Sequence, residues 1–145
     1  MNTDQYYMSR ALMLAALADE ENEVPVGAVV VCNDQIIGKG YNQTQQLEDA
    51  TAHAEMLAIT SASAFLHSRH LQKCTLYVTL EPCPMCASAI NWAQVERVVY
   101  GAEDEKRGYR SFSPKLIPPK VEIKGGVLHQ ECEALLMSFF KRLRK

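Results

Sequence analysis

Two β-rich runs, Thr75 to Thr79 and Val95 to Tyr100, stand only fifteen residues apart, and the stretch between them, from about Cys83 to Ala93, has helical spacing. A strand, a short helix and a second strand in such quick succession require parallel strands joined by a right-handed crossover, with the helix laid on the sheet. The same alternation reaches backwards along the chain. Gly27 to Cys32 and Gln35 to Tyr41 flank Asn33-Asp34, a tight-turn pair, and so predict a hairpin. A helix is expected from a cap at Thr51 to Phe65. An α/β layered sandwich is the fold class, completed by an edge strand within Val121 to Val127, which Gly125-Gly126 weaken.

Two more helices close the pattern. Tyr7, Ala11, Leu14, Ala15 and Leu17 to Ala18 recur at helical spacing, with a cap near Asn2 or Thr3. The apolar core Ala11 to Ala18 has the look of a secretory leader, but Asp4 stands where a leader carries cations, so the segment reads as a first helix. Glu131 to Leu143 forms the last helix, turning Cys132, Leu135, Leu136, Phe139, Phe140 and Leu143 to the core. No repeat or linker divides the 145 residues, so residues 1 to 145 are expected to form a single domain. No apolar run approaches the roughly 20 residues of a membrane-spanning helix. The five cysteines are an odd number, which excludes a fully paired disulfide framework and favours thiols in a reducing, cytoplasmic compartment.

Charge is divided unevenly. Residues 1 to 105 carry a balance of -9 and residues 106 to 145 one of +7. Lys106, Arg107, Arg110, Lys115, Lys120 and Lys124, with Tyr109 and Phe112 interleaved for stacking, read as a face for a phosphate backbone. Lys141, Arg142, Arg144 and Lys145 fit such a face or a solvated helix end equally well.

The chemistry lies in His53-Ala54-Glu55 and Pro82-Cys83-Pro84-Met85-Cys86, each at a helix start. Cysteines at i and i+3 share one face of a first turn, and the positive helix end favours their thiolates. With His53 as a nitrogen ligand the set suits zinc and leaves one position open, as catalytic sites do, with Glu55 available for acid-base work. Residues two apart diverge by about 200° around a helix. His53 and Glu55 therefore converge only where the helix end itself points into the site. A structural zinc clip would need a fourth ligand, and a redox dithiol gives no role to His53 and Glu55. Cys32, Cys74 and Cys132 read as buried, inert thiols.

These motifs resemble the signature of the zinc-dependent nucleobase deaminases. Val24-Pro25-Val26-Gly27-Ala28, Asp49 to Glu55, Tyr77 to Cys83 and Gly101 to Lys106 narrow the resemblance to bacterial tRNA-specific adenosine deaminases. That resemblance implies a cytidine deaminase-like fold, a three-layer α/β sandwich whose central mixed five-stranded sheet has helices on both faces. It implies one zinc per subunit on His53, Cys83 and Cys86, with Glu55 as the proton shuttle while activated water attacks C6 of the wobble adenosine in a tRNA anticodon stem-loop. It further implies a homodimer, a base contact from Asn42, a pocket wall from Val26, and nucleic-acid contacts from Asp104 and Lys106. The rival functions are a free-base or nucleoside deaminase acting on guanine, cytosine or cytidine, and a zinc-stabilised RNA-binding module without turnover. Arg107 to Lys120 departs from the His-Pro-Gly-type loop of many members, so no contact carries over there; Pro114 and Pro118-Pro119 predict an ordered, irregular loop.

Overall fold

The computed structural model describes residues 1 to 144; Lys145, counted above with the basic terminus, lies outside them. Helix α1 (Thr3–Glu20) begins in a capping box: the Asn2 side chain accepts from the Gln5 N–H, and the Gln5 side chain accepts from the Asn2 N–H. Strands β1 (Gly27–Cys32) and β2 (Gln35–Tyr41) form the expected hairpin, with Asn33 and Asp34 both at positive φ, as a two-residue turn of matching twist requires. Then come α2 (Ala54–Leu66), β3 (Thr75–Leu80), α3 (Pro84–Trp92), β4 (Arg97–Ala102), β5 (Glu122–Lys124) and α5 (His129–Leu143), with a single helical turn, α4 (Tyr109–Phe112), between β4 and β5.

The strand order is β2-β1-β3-β4-β5. β1 pairs antiparallel with β2 and with β3, whereas β3–β4 and β4–β5 are parallel, so the sheet is mixed as expected. Because β1 lies between β2 and β3, the chain passes from β2 through α2 over its own first strand. Helices α1 and α5 pack on one face, and α2 and α3 pair on the other, giving three layers. The approach of α2 to β2 is close. A Cβ added at Gly40 would collide with the Ala54 carbonyl oxygen and lie 2.7 Å from the Ala58 nitrogen, so only glycine lets the first turns of α2 lie flat on the strand.

Several expectations need correction. The cap of α2 is His53, not Thr51; Thr51 is instead held in a turn by the Asp49 carboxylate, which accepts from both its N–H and its hydroxyl at 2.8 Å. The segment after β4 is ordered, but it includes the helical turn α4 and a 3-10 turn at Pro114–Leu116, because Pro114 starts a turn as readily as it stops one. Tyr109 is buried and so cannot stack on a base, whereas Phe112 is exposed. On α5, Cys132, Leu136 and Phe139 face the core, but Phe140 and Leu143 face solvent. Cys74 and Cys132 are buried, and burial pushes both thiols up to about 12; Cys32 is only half-buried. Among the described residues no helix is long and apolar enough to cross a membrane.

Candidate active site

The C-terminal ends of β2, β3 and β4 open on one side of the sheet, where α2 and α3 begin, the usual place for a ligand in an open α/β sheet. Both helices start with a candidate metal ligand in the cap position. His53 caps α2 with extended φ/ψ, and Cys83 caps α3 with Pro84 as its first helical residue. This resolves the angular conflict of His-x-Glu: His53 is not yet helical, so the 100° per residue rotation does not separate it from Glu55.

The His53 Nδ1 lies 3.6 Å from Cys83 Sγ and 3.6 Å from Cys86 Sγ. All three donor atoms fall within 4.8 Å of one another, and among the described residues this is the single His, Cys or carboxylate cluster with such geometry. Tetrahedral zinc, with Zn–S near 2.3 Å and Zn–N near 2.0 Å, requires a nitrogen-sulfur separation of roughly 3.6 Å. The donor set therefore fits zinc in distance as well as in chemistry, and no fourth protein ligand joins it among the described residues. Cys83 is held low, to about 4, first by the Cys86 hydrogen bond and then, against burial, by His53. Cys86 is pushed up by its bond to Cys83 and by burial, so the two sulfurs share one proton. The Cys83 hydrogen bond also raises His53. A cation arriving here meets a thiolate already formed.

Glu55 is buried in the first turn of α2, and burial pushes its carboxyl up to about 7 despite its own backbone N–H. A carboxyl near neutrality can hold or release a proton within one catalytic cycle. It lines a cavity of about 240 Å³ with His53, Cys83, Val26, Asn42 and Asp104. Asn42 follows β2, its N–H donating to the Val26 carbonyl at 3.1 Å. Its side-chain Oδ1 is buried and is the one such atom among the described residues without a hydrogen-bond partner. Buried acceptors are rarely left orphaned, so this one is free to accept from a group that enters the cavity.

Six of the eight sequence-predicted residues thus line the cavity: His53, Cys83, Glu55, Asn42, Val26 and Asp104, with Cys86 in the same donor cluster as His53 and Cys83. Asp104 is committed to its own loop, since its Oδ1 accepts from the backbone N–H groups of Lys106 and Arg107, at 3.2 and 3.0 Å. Lys106 is exposed and does not line the cavity; Arg107 does. Sequence reading missed Glu81, a buried carboxylate on the cavity wall that binds Arg110, and could not separate Arg107 from its basic neighbours. Burial pushes Glu81 up, but hydrogen bonds from Arg110 and the Asp104 N–H outweigh it and keep the carboxyl ionised.

The basic face is also smaller than its sequence suggested. Arg110 is bound by Glu81, and Lys124 by Asp4 at 3.2 Å. Lys120 precedes β5 at the opposite end of the sheet from the cavity, since β5 starts beside Arg97 at the start of β4.

Residues 1–102 match the family model for the cytidine and deoxycytidylate deaminase zinc-binding region. The chain is 43% identical to a tRNA-specific adenosine deaminase of Bacillus subtilis, the similarity covering 100% of this chain and 93% of that one. Among solved structures it is similar to one from a study of A-to-I editing by tRNA:A34 deaminases at the wobble position, with 40% identity and a TM-score of 0.84 over 90% of this chain and 99% of that one. It is also similar to a guanine deaminase from Bacillus subtilis, at 41% identity and TM-score 0.67, but over 71% of this chain and 66% of that one.

Proposed function

Because the chain belongs to the cytidine and deoxycytidylate deaminase zinc-binding family, we propose that it hydrolytically deaminates the wobble adenosine of a tRNA anticodon loop to inosine. The observation that carries the reading is the cavity in which an orphan Asn42 acceptor, the buried Glu55 carboxyl and the His53, Cys83, Cys86 donor set converge. Identity of 43% to a tRNA-specific adenosine deaminase over 100% of this chain, against 41% over 71% for one guanine deaminase and 24% over 96% for another, supports RNA over a free base.

His53, Cys83 and Cys86 would hold the zinc ion, which when bound would supply Lewis-acid activation of water at neutral pH. Glu55 takes the proton that water loses as its oxygen bonds to C6, and passes it to N1. Glu55 then moves the hydroxyl proton to the exocyclic nitrogen, the C6–N6 bond breaks, and ammonia leaves with inosine behind. Asn42 accepts a hydrogen bond from the target nucleoside, Val26 packs against the base, and N–H groups at the start of α3 face the developing charge. An anticodon loop presents its bases unstacked, which lowers the cost of entering so narrow a cavity.

The reading includes the whole chain as one catalytic domain working in the cytoplasm, where its substrate and its five cysteines without a disulfide belong. It includes a homodimer as well: Ala87 and Ile90 of α3 pack inward, but Trp92 is 81% exposed beside Ile59, Ala89 and Ala93. The test is incubation with bulk bacterial tRNA followed by nucleoside mass spectrometry for inosine, beside free guanine, cytosine and cytidine. Glu55→Ala is expected to abolish inosine while retaining one zinc per chain. Activity in that variant equal to wild type removes the mechanism, and turnover of guanine without inosine in tRNA removes the substrate.

A further inference from the structure

The 103 to 110 segment is fastened to the site by a buried carboxylate. Glu81 Oε1 accepts from the Asp104 N–H at 3.2 Å and from Arg110 Nη2 at 3.0 Å, and its Oε2 accepts from Arg110 Nε and N–H at 3.2 and 3.3 Å. The Tyr109 N–H donates to the Pro82 carbonyl at 2.8 Å, so the loop is tied on both sides of the step into Cys83. Gly108 permits this, since a Cβ there would collide with the Glu81 carboxylate. The backbone that carries Arg107 is thereby fixed relative to Glu55 and Asn42.

What it carries is a free cation. Arg107 has no carboxylate partner among the described residues, and it is the arginine or lysine side chain that lines the cavity. The nearby acids do not neutralise it: Asp104 is turned back on its own loop, Glu103 faces Arg110 at 3.6 Å, and Glu81 is bound to Arg110. A neutral base inside the cavity gains little from a guanidinium on its lining. A nucleotide within a strand brings an anionic phosphate to that position, where the planar fork can bind two oxygens.

We propose that Arg107 binds a phosphate next to the target adenosine and so selects nucleic acid over free bases. This rests on the RNA substrate of the preceding section and assigns a contact to a segment where family resemblance implied none. Arg107→Ala is expected to raise KM for an anticodon stem-loop about 5- to 10-fold, with the change falling on KM rather than kcat. Its binding should lose about 0.7 from the slope of log K against log salt, the share of one phosphate in a single strand. Arg107→Lys should restore most of the slope. Lys120→Ala, with the same loss of charge at the far end of the sheet, should change neither quantity.

A second arm keeps the protein and changes the RNA. Methylphosphonate in place of the phosphate on the 5′ or 3′ side of the target adenosine removes one charge. At the contacted linkage it should weaken the wild type as much as Arg107→Ala does, and add nothing to that variant. An unchanged KM and salt slope in Arg107→Ala, or full methylphosphonate penalties at both linkages in that variant, overturns the inference while leaving the RNA substrate intact. If the wild type makes no inosine in the stem-loop, the substrate reading fails first.

Discussion

At the residue scale, Asn42 separates binding from stability. Its Oδ1 has no partner to lose on folding, so removing the amide relieves an unpaired buried acceptor while deleting the contact a ligand would satisfy. Asn42→Ala should therefore lower kcat/KM on an anticodon stem-loop about tenfold and leave the melting temperature unchanged or raised. A fall in both would make Asn42 a structural residue. The metal ligands behave differently: Cys83→Ser should release zinc and activity together, read by metal content and by inosine formation, because the low thiol pKa prepares the site for a cation. These residues were legible in the sequence since imidazole, thiol and carboxylate announce their chemistry by type and spacing. Glu81 was not legible, because a glutamate becomes a buried clamp only when Arg110, twenty-nine residues later, is brought against it.

At the element scale, helix positions are set by close backbone contact and a few ion pairs. Gly40→Ala should destabilise the protein by about 1–3 kcal/mol, the range for overpacking, by pushing α2 off β2; chemical denaturation measures it. Since α2 carries Glu55, activity should fall in the same variant. On the opposite face, Asp4 in the first turn of α1 is gripped by Arg97 of β4 at 2.8 Å through both carboxylate oxygens, with Tyr77 and Lys124 also donating. The Arg97 bonds, aided by Tyr77 and Lys124 and opposed by burial, hold the Asp4 carboxyl well below its usual range. A carboxyl depressed in the folded state stabilises above its unfolded pKa of about 3.9 and loses that contribution as pH falls further. Asp4→Asn should thus cost about 2 kcal/mol at pH 7, and the gap to wild type should close as the medium is acidified below pH 4. A gap that widens in acid would contradict the assignment. Helix and strand spans were readable from periodicity, but the cap of α2 was not. Thr51 and His53 are both plausible starts locally, and the Asp49 turn that captures Thr51 decided between them.

At the scale of the whole molecule, charge and apolar surface are sorted by the fold rather than by the chain order. Of the cations after residue 105, Arg110, Lys124 and Arg142 are held in ion pairs, Lys120 lies at the far end of the sheet, and Arg107 lines the cavity. The exposed Trp92 face and the proposed homodimer together predict that the wild type sediments as a dimer and Trp92→Glu as a monomer; a dimeric variant would place the subunit boundary elsewhere, and a monomeric wild type would remove the dimer. The sequence by itself determined the α/β alternation, the hairpin and the His53, Cys83 and Cys86 donor set, and pointed to Glu55 as the proposed acid-base carboxyl, because periodicity, turn chemistry and ligand type are properties of neighbouring residues. Only the tertiary structure decided the strand order with β1 inserted between β2 and β3, the cap that lets His53 and Glu55 converge, and the placement of Arg107 along the cavity. Each of these depends on which distant groups satisfy a hydrogen bond or a charge once the chain has closed on itself.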